Sequence, residues 1–327
     1  MSLSTIAPCA VLLTTLLQNA TGKMPYSLTN DYFFRATLQR SKGALKGLIC
    51  AILGLKPEEI LSVEITNPIE LGKSIHAKDF ILDIRILLNN HTTINMEMQV
   101  LNLGNWPERS LGYLCRSFDS LNKGDDYIET KPVIQVCFLD FTLFKDAPEF
   151  FSKYMFMNVK NHLIYSDKLK LFVVDLTQID IATEDDKLRG IDNWARLFKA
   201  TTWEEIKMLA KNDNFLAEAA ETAYQLSTEE TIRMQCEARE DFYRQQRYIQ
   251  KKLEKLELME SLEQKNCELQ KNNSELQKNN SELQKSNAEK DFTIAEKDRA
   301  LSAKDEEIAR LKAMLDVQNT KNNLILE

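Results

Sequence analysis

The sequence predicts an α/β core whose sheet is flanked by helices, followed by helical segments and a long C-terminal coiled coil. Three observations predict it. All nine glycines and seven prolines of the 327 residues lie at or before Gly190, so a turn-rich part is followed by one without breakers. Short apolar runs bounded by turn residues fill the first part. A heptad repeat occupies the last.

Residues 1–22 carry no charged side chain and hold the apolar run Ala10 to Leu17. That run is too short to span a bilayer, and the positive flank of a signal peptide is missing. The chain also reads naturally from Met24, which marks 1–23 as an extension with a mis-assigned start or a disordered segment. Asp31 to Leu53 reads as one helix, with Gly54 as its stop. Val63 to Ile65 reads as a strand. Phe80–Leu88 and Thr92–Leu101 are the strongest strands, joined across Asn89, Asn90 and His91. Pro107 to Leu121 reads as a helix carrying Arg109, Tyr113 and Arg116. Val133–Leu139 is an almost continuous apolar run suited to a sheet centre, and Leu169–Leu176 is a further strand. Trp194, Leu197 and Phe198 then stand at helical spacing. Capping boxes at Thr202–Glu205 and Ser227–Glu230 start two more helices, with a third over Phe215–Tyr224. The expected domains are 24–190, a helical subdomain over 191–248, and a dimerisation tail over 249–327.

In the tail, Leu262, Leu269, Leu276 and Leu283 recur every seven residues. Taking them as d places Asn266, Asn273, Asn280 and Asn287 at a, and a continues as Ile294, Leu301, Ile308 and Leu315. Such a pattern specifies a parallel coiled coil, and buried Asn at a favours two strands at some cost in stability. A homodimer is therefore expected. The alternative is a low-complexity polar tail.

The formal charge of −7 excludes a uniformly basic nucleic-acid binder, so any DNA contact must be local. The six cysteines are scattered without CxxC spacing and the three histidines are isolated. That argues against zinc and for a reduced, cytoplasmic setting. No segment reads as a membrane span.

The chemistry sits in the paired strands. Leu82, Ile84 and Ile86 share one strand face and Asp83 and Arg85 the other. Across the turn, Ile94, Met96 and Met98 oppose Asn95, Glu97 and Gln99. For the apolar faces to coincide, the loop must hold three residues, Asn89 to His91. Leu88 then pairs with Thr92, and Asp83 with Glu97. Two facing carboxylates repel, and a divalent cation with hard oxygen ligands would convert that repulsion into binding. Gln99, two residues on, shares the face of Glu97. The competing expectation is ordinary ion pairing, Asp83 with Arg85 or Lys78 at a sheet rim and Glu97 exposed.

Several pieces in order make the chain resemble the recombination-promoting nuclease (Rpn) and transposase family of the PD-(D/E)XK nuclease superfamily. They are Asn30-Asp31-Tyr-Phe-Phe34-Arg35, Leu82-Asp83-Ile84, Asn95-Met-Glu97-Met-Gln99, Arg109 to Tyr113, Gly124-Asp-Asp-Tyr127 and Pro132-Val-Ile-Gln-Val. The resemblance covers roughly Ser27 to Ile249. It implies a restriction-endonuclease-like core with a mixed sheet, and DNA cleavage dependent on Mg²⁺ or Mn²⁺. Carried over, Asp83 and Glu97 are the metal ligands, and Gln99 stands at the superfamily's Lys position as a third catalytic residue. Asp31, Arg109 and Tyr113 are auxiliary. Arg35, Arg40, Lys42, Lys46 and Arg116 form the expected phosphate rim. Relatives often carry a Glu-Leu-x-Lys element where this chain has Asp175-Leu-Thr-Gln178. The alternative function is a non-catalytic interaction protein built on a degenerate nuclease fold.

Overall fold

The computed structural model describes residues 15–67, 84–119 and 126–324. Asp83, Phe80 to Leu82, most of the apolar run from Ala10, and Gly124-Asp125 lie outside the described residues. The chain falls into two units, Met1–Tyr248 and Ile249–Glu327.

The helices are α1 (Thr15–Asn19), α2 (Asp31–Arg40), α3 (Lys42–Leu53), α4 (Trp106–Phe118), α5 (Glu184–Arg189), α6 (Ile191–Lys199), α7 (Trp203–Ala210), α8 (Asn214–Thr228) and α9 (Glu230–Leu324). The strands are β1 (Val63–Ile65), β2 (Ile84–Leu88), β3 (Thr92–Gln99), β4 (Val133–Leu139), β5 (Phe151–Met157) and β6 (Ile164–Asp175). They form one sheet in the order β1-β2-β3-β4-β6-β5. The pairs β1–β2, β2–β3 and β5–β6 are antiparallel, and β3–β4 and β4–β6 parallel. This is a mixed α/β sheet of the restriction-endonuclease type.

The β2–β3 register is the one a three-residue loop gives. Leu88 pairs with Thr92 and Ile84 with Met96. Asn89 and Asn90 take left-handed backbone (φ 51° and 56°), which Asn tolerates better than most residues. The Asn89 side chain then accepts from Leu61 N–H at 2.7 Å and donates to Glu59 C=O at 2.9 Å, tying the hairpin to the chain entering β1.

Ile94, Met96 and Met98 pair with Ile134, Val136 and Phe138, and all six are buried in the main core. Residues of α2, α3, α6 and α8 fill that core from the other side. Phe34 of α2, Phe138 of β4 and Phe198 of α6 meet at ring-centroid distances of 5.2–5.5 Å. Tilted and edge-to-face geometries of this kind add about 0.5–1.5 kcal/mol per pair beyond area burial. The opposite face carries Asn95, Glu97 and Gln99 beside Gln135, Cys137 and Leu139. There a smaller cluster of Trp106, Cys137, Leu139 and Val173 seats α4.

Two secondary-structure expectations change, at Ser41 and in β5 and β6. The helix expected from Asp31 to Leu53 is broken at Ser41, which closes α2 and caps α3 in extended backbone (φ −100°, ψ 103°), its hydroxyl accepting from Ala44 N–H at 3.0 Å. Over residues 15–23 the N-terminal extension is folded. Leu17 is fully buried, Lys23 bridges Thr202, and Lys207 donates to the carbonyls of Gln18 and Ala20. Finally, β5 and the first half of β6 form strands that were not expected. Trp194, Leu197, Phe198 and Leu226, from the stretch read as a helical subdomain, share the main core with the sheet.

Candidate active site

Glu97 is held on the polar face of β3 by simple alternation, since its neighbours Met96 and Met98 are committed to the main core. Its carboxylate side chain is only 6% exposed. Burying such a charge is costly unless it is paired and hydrogen-bonded. The pairing comes from α4. After Gln99 the chain turns through Asn102 and Gly104, the Asn102 side chain accepting from Gly104 N–H at 2.9 Å and Gly104 in left-handed backbone (φ 75°). Helix α4 then returns over the polar face and brings Arg109 to Glu97.

The Arg109 guanidinium donates from Nη2 to Glu97 Oε1 at 2.6 Å, from Nη1 to Gln99 Oε1 at 3.3 Å, and from Nε to Tyr113 Oη at 3.0 Å. It also stacks on the rings of Trp106 and Tyr113, at 5.2 and 5.4 Å from their centroids. Spacings of three and four residues put Trp106, Arg109 and Tyr113 on one side of α4. The amide of Gln99 is oriented by its Nε2–H donating to Leu101 C=O at 2.8 Å, so its oxygen faces Arg109. Arg109 itself remains 31% exposed. The result is a buried carboxylate and an amide oxygen reached from solvent past one guanidinium.

A second polar group extends this strip. Asn95 donates to Ser117 Oγ at 2.7 Å and to Gln135 Oε1 at 3.1 Å, and accepts from Arg85 Nε at 3.3 Å. Gln135 enters the sequence reading only within the Pro132-Val-Ile-Gln-Val piece, and neither it nor Ser117 was given a site role. The available signal was one amide inside the otherwise apolar run Val133–Leu139. Asp175 lies on the same face, since Gln99 pairs with Leu139 and Leu139 with Asp175. Its carboxylate is used locally, accepting from Thr177 N–H at 2.8 Å and from the Thr177 hydroxyl at 2.6 Å. Gln178 donates to Thr142 Oγ1 at 2.9 Å.

The remaining expected site residues are placed as follows. Asp31 opens α2, on the other face of the sheet, where Arg239 of α9 donates from Nε to both of its oxygens at 2.7 Å and from Nη2 to one of them. Asn30 beside it donates to Cys236 C=O at 3.1 Å and Glu240 at 3.0 Å. Arg239 also stacks on Phe242 and Tyr243. Burial pushes the Tyr243 hydroxyl well above the usual phenol range, and the charge of Asp31 pushes it further. Burial works against a charged Arg239, and the hydrogen bonds and charge of Asp31 together with Tyr243 more than offset it. Arg35 is buried and donates to Asn67 C=O. Arg40 pairs with Glu229, and Lys46 reaches Ile60 C=O at 3.4 Å. Lys42 is exposed in the first turn of α3, and Arg116 is exposed on α4. Glu97, Gln99, Arg109, Tyr113 and Arg116 therefore share the α4 side, whereas Asp31, Arg35, Arg40, Lys42 and Lys46 belong to the helical layer opposite.

Among the described residues no three His, Cys, Asp or Glu side chains cluster as a metal site. The donors that are described, the Glu97 carboxylate and the Gln99 amide oxygen, are hard oxygen atoms, which suit Mg²⁺ or Mn²⁺ rather than a thiophilic metal.

A mixed sheet with a Glu-x-Gln strand beneath a covering helix defines a nuclease-like α/β protein. Residues 28–252 match the model of the PD-(D/E)XK nuclease family transposase, and the chain belongs to that family. The membership gives it a nuclease and mobile-element character. No curated protein and no solved structure matches the chain. Among the described residues no helix is long and apolar enough to cross a membrane.

Proposed function

We propose that the chain is a metal-dependent DNA endonuclease that acts in recombination or in the movement of a mobile element. The observation that carries this is the Glu97 carboxylate, buried on a central strand and held beside Gln99 by a partly exposed arginine. A protein that needed only a stable strand would place an apolar or uncharged residue there.

In this reading Glu97 and Asp83, the residue directly before β2 in sequence, hold the cation. When bound, it polarises a phosphodiester and makes water a stronger nucleophile. Gln99 orients water or a phosphate oxygen through its amide and contributes no charge. Arg109 neutralises Glu97, and its partly exposed guanidinium would donate to a phosphate oxygen. The Trp106 and Tyr113 rings hold that guanidinium beside Glu97 and Gln99. Asp31 is assigned a positioning role, because Arg239 occupies its carboxylate.

The tail is proposed to form a parallel homodimer. Leu262, Leu269, Leu276, Leu283, Ile294, Leu301, Ile308 and Leu315 are all exposed along α9, and the heptad register supplies a partner surface in a second copy. Two linked nuclease units would then serve double-strand or paired-end cleavage.

The test is nicking of supercoiled plasmid with Mg²⁺, Mn²⁺ or EDTA by the full chain and by Asp83→Ala and Glu97→Ala variants. Metal-dependent nicking lost in both variants is expected. Absence of nicking, or equal nicking by the variants, would favour the second reading, a non-catalytic coiled-coil protein on a degenerate nuclease fold. Gln99, lacking the charge of a lysine, is the feature that favours that alternative.

A further inference from the structure

Strands β5 and β6 continue past the rest of the sheet as a two-stranded ribbon. Pairing of β6 with β4 begins at Leu169, opposite Val133, whereas Ile164–Lys168 pair only with β5, through Phe156↔Ser166 and Met157↔Ile164. At about 3.3 Å per residue these five positions carry the ribbon on the order of 15 Å beyond β4. Its tip is ordered. Asn158 and Leu163 close it with an N–H···O=C bond of 2.8 Å, the Asn158 and Asn161 side chains accept from Lys160 and Leu163 N–H, and His162 takes left-handed backbone (φ 58°).

This ribbon carries several exposed apolar side chains close together in sequence. Phe156 is 61% exposed and Tyr165 81%, their rings meeting edge to face at 5.3 Å. Val159, Leu163 and Ile164 are exposed beside them. At the ribbon's flank Lys168 donates to Ile128 C=O at 3.0 Å, next to exposed Tyr127 and Ile128. Contiguous exposed apolar surface marks an interaction site. Its charge identifies the partner. Within 154–170 the lysines are Lys160, Lys168 and Lys170 and the only acid is Asp167, a basic excess in a chain of net charge −7. Arg35 is buried and Arg40 is paired with Glu229, so the ribbon is a stronger local basic surface than that part of the expected rim.

We infer that the β5–β6 ribbon binds DNA strands with unpaired bases, its lysines on the phosphates and the Phe156 and Tyr165 rings stacking on bases. Stacking on exposed aromatic side chains is tolerant of sequence and needs a base free of its duplex partner. The inference rests on the nuclease reading for the choice of DNA as partner.

The experiment measures binding by fluorescence anisotropy, using the full chain in EDTA with a labelled single-stranded oligonucleotide and its blunt duplex. Phe156→Ala/Tyr165→Ala should weaken single-strand binding at least tenfold and duplex binding by less than threefold. Tyr165→Phe, which keeps the ring, should bind as the parent does. Lys160→Ala/Lys168→Ala should flatten the salt dependence by about 1.4 in log–log slope, at roughly 0.7 per phosphate contact on single strands. Unchanged single-strand binding by the ring variant, or equal losses on both probes, overturns the inference. A fall in oligomer mass caused by the ring variant also overturns it, because the surface would then join two copies. A chain that binds through the ribbon but never nicks plasmid sinks the nuclease reading alone.

Discussion

Two buried arginine–carboxylate pairs, one on each side of the sheet, do different things with the same chemistry. Arg239 and Asp31 are 11% and 6% exposed. The guanidinium reaches both carboxylate oxygens, and aromatic rings of α9 stack on it. Arg109 and Glu97 are 31% and 6% exposed, and the Arg109 guanidinium is shared among Glu97, Gln99 and Tyr113. The first pair is sealed and joins α2 to α9. The second is open on the arginine side, as the proposed site requires. Closure of the ion pair, rather than its mere burial, separates a structural pair from a candidate catalytic one.

The largest expected effect is on the sealed pair. Arg239→Ala leaves Asp31 charged and buried, which should cost about 3–5 kcal/mol of unfolding free energy in urea denaturation. Restoring neutrality with Asp31→Asn in the same chain should recover part of it. A loss below about 1 kcal/mol would mean water enters the Asp31 environment and would remove the contrast. Next comes Arg109→Ala, for which the exposed guanidinium and nearby solvent limit the cost to about 1–2 kcal/mol. Its cleavage defect should exceed its stability defect, as judged by nicking at a temperature where both proteins are folded. Glu97→Gln is smaller still in stability, within about 1 kcal/mol, because an amide keeps the shape and removes a desolvated charge. Its nicking activity should nevertheless vanish. Activity retained in Glu97→Gln would place the site elsewhere.

The tail needs its own truncation point. Ile232, Cys236 and Tyr243 are buried in the nuclease unit, so removal from Ser227 would strip core residues. A chain ending at Tyr248 keeps them and should be monomeric by light scattering. A dimer persisting in that chain would move the interface onto the nuclease unit.

The sequence carried the strip on β3 well, and for a physical reason. Strand alternation has period two, so coincidence of the apolar faces forces both the three-residue loop and the Leu88↔Thr92 pairing. Asn89 and Asn90 advertise the left-handed backbone that loop uses. By contrast, Arg239 stands 208 residues from Asp31, and no local pattern links them. The break at Ser41 was hidden because α2 and α3 both bury apolar residues and follow each other without a loop. The edge strand β5 escaped because it is partly exposed along its length and register shifts interrupt its pairing near Phe156. Arg109 and Tyr113 were marked by family resemblance, and only the packing of α4 explains why they meet Glu97.

A third kind of carboxylate sets the lower bound of the comparison. Glu205 closes the capping box of α7, accepting from Thr201 N–H at 2.8 Å and Thr202 N–H at 3.2 Å while remaining exposed. The Thr201 hydrogen bond lowers its pKa below the ordinary 4.5, with partial burial opposing. A lowered folded-state value means the carboxylate's stabilisation is complete above about 4.5 and is lost as pH falls through that lower value. Solvent screening keeps it under ~1 kcal/mol. The urea midpoints of the parent and Glu205→Gln should therefore differ slightly at pH 6 and converge once the pH is below that lowered value. If the Glu205→Gln difference instead grew on acidification, the carboxylate would be unfavourable in the folded chain, and exposure alone would not rank these three groups.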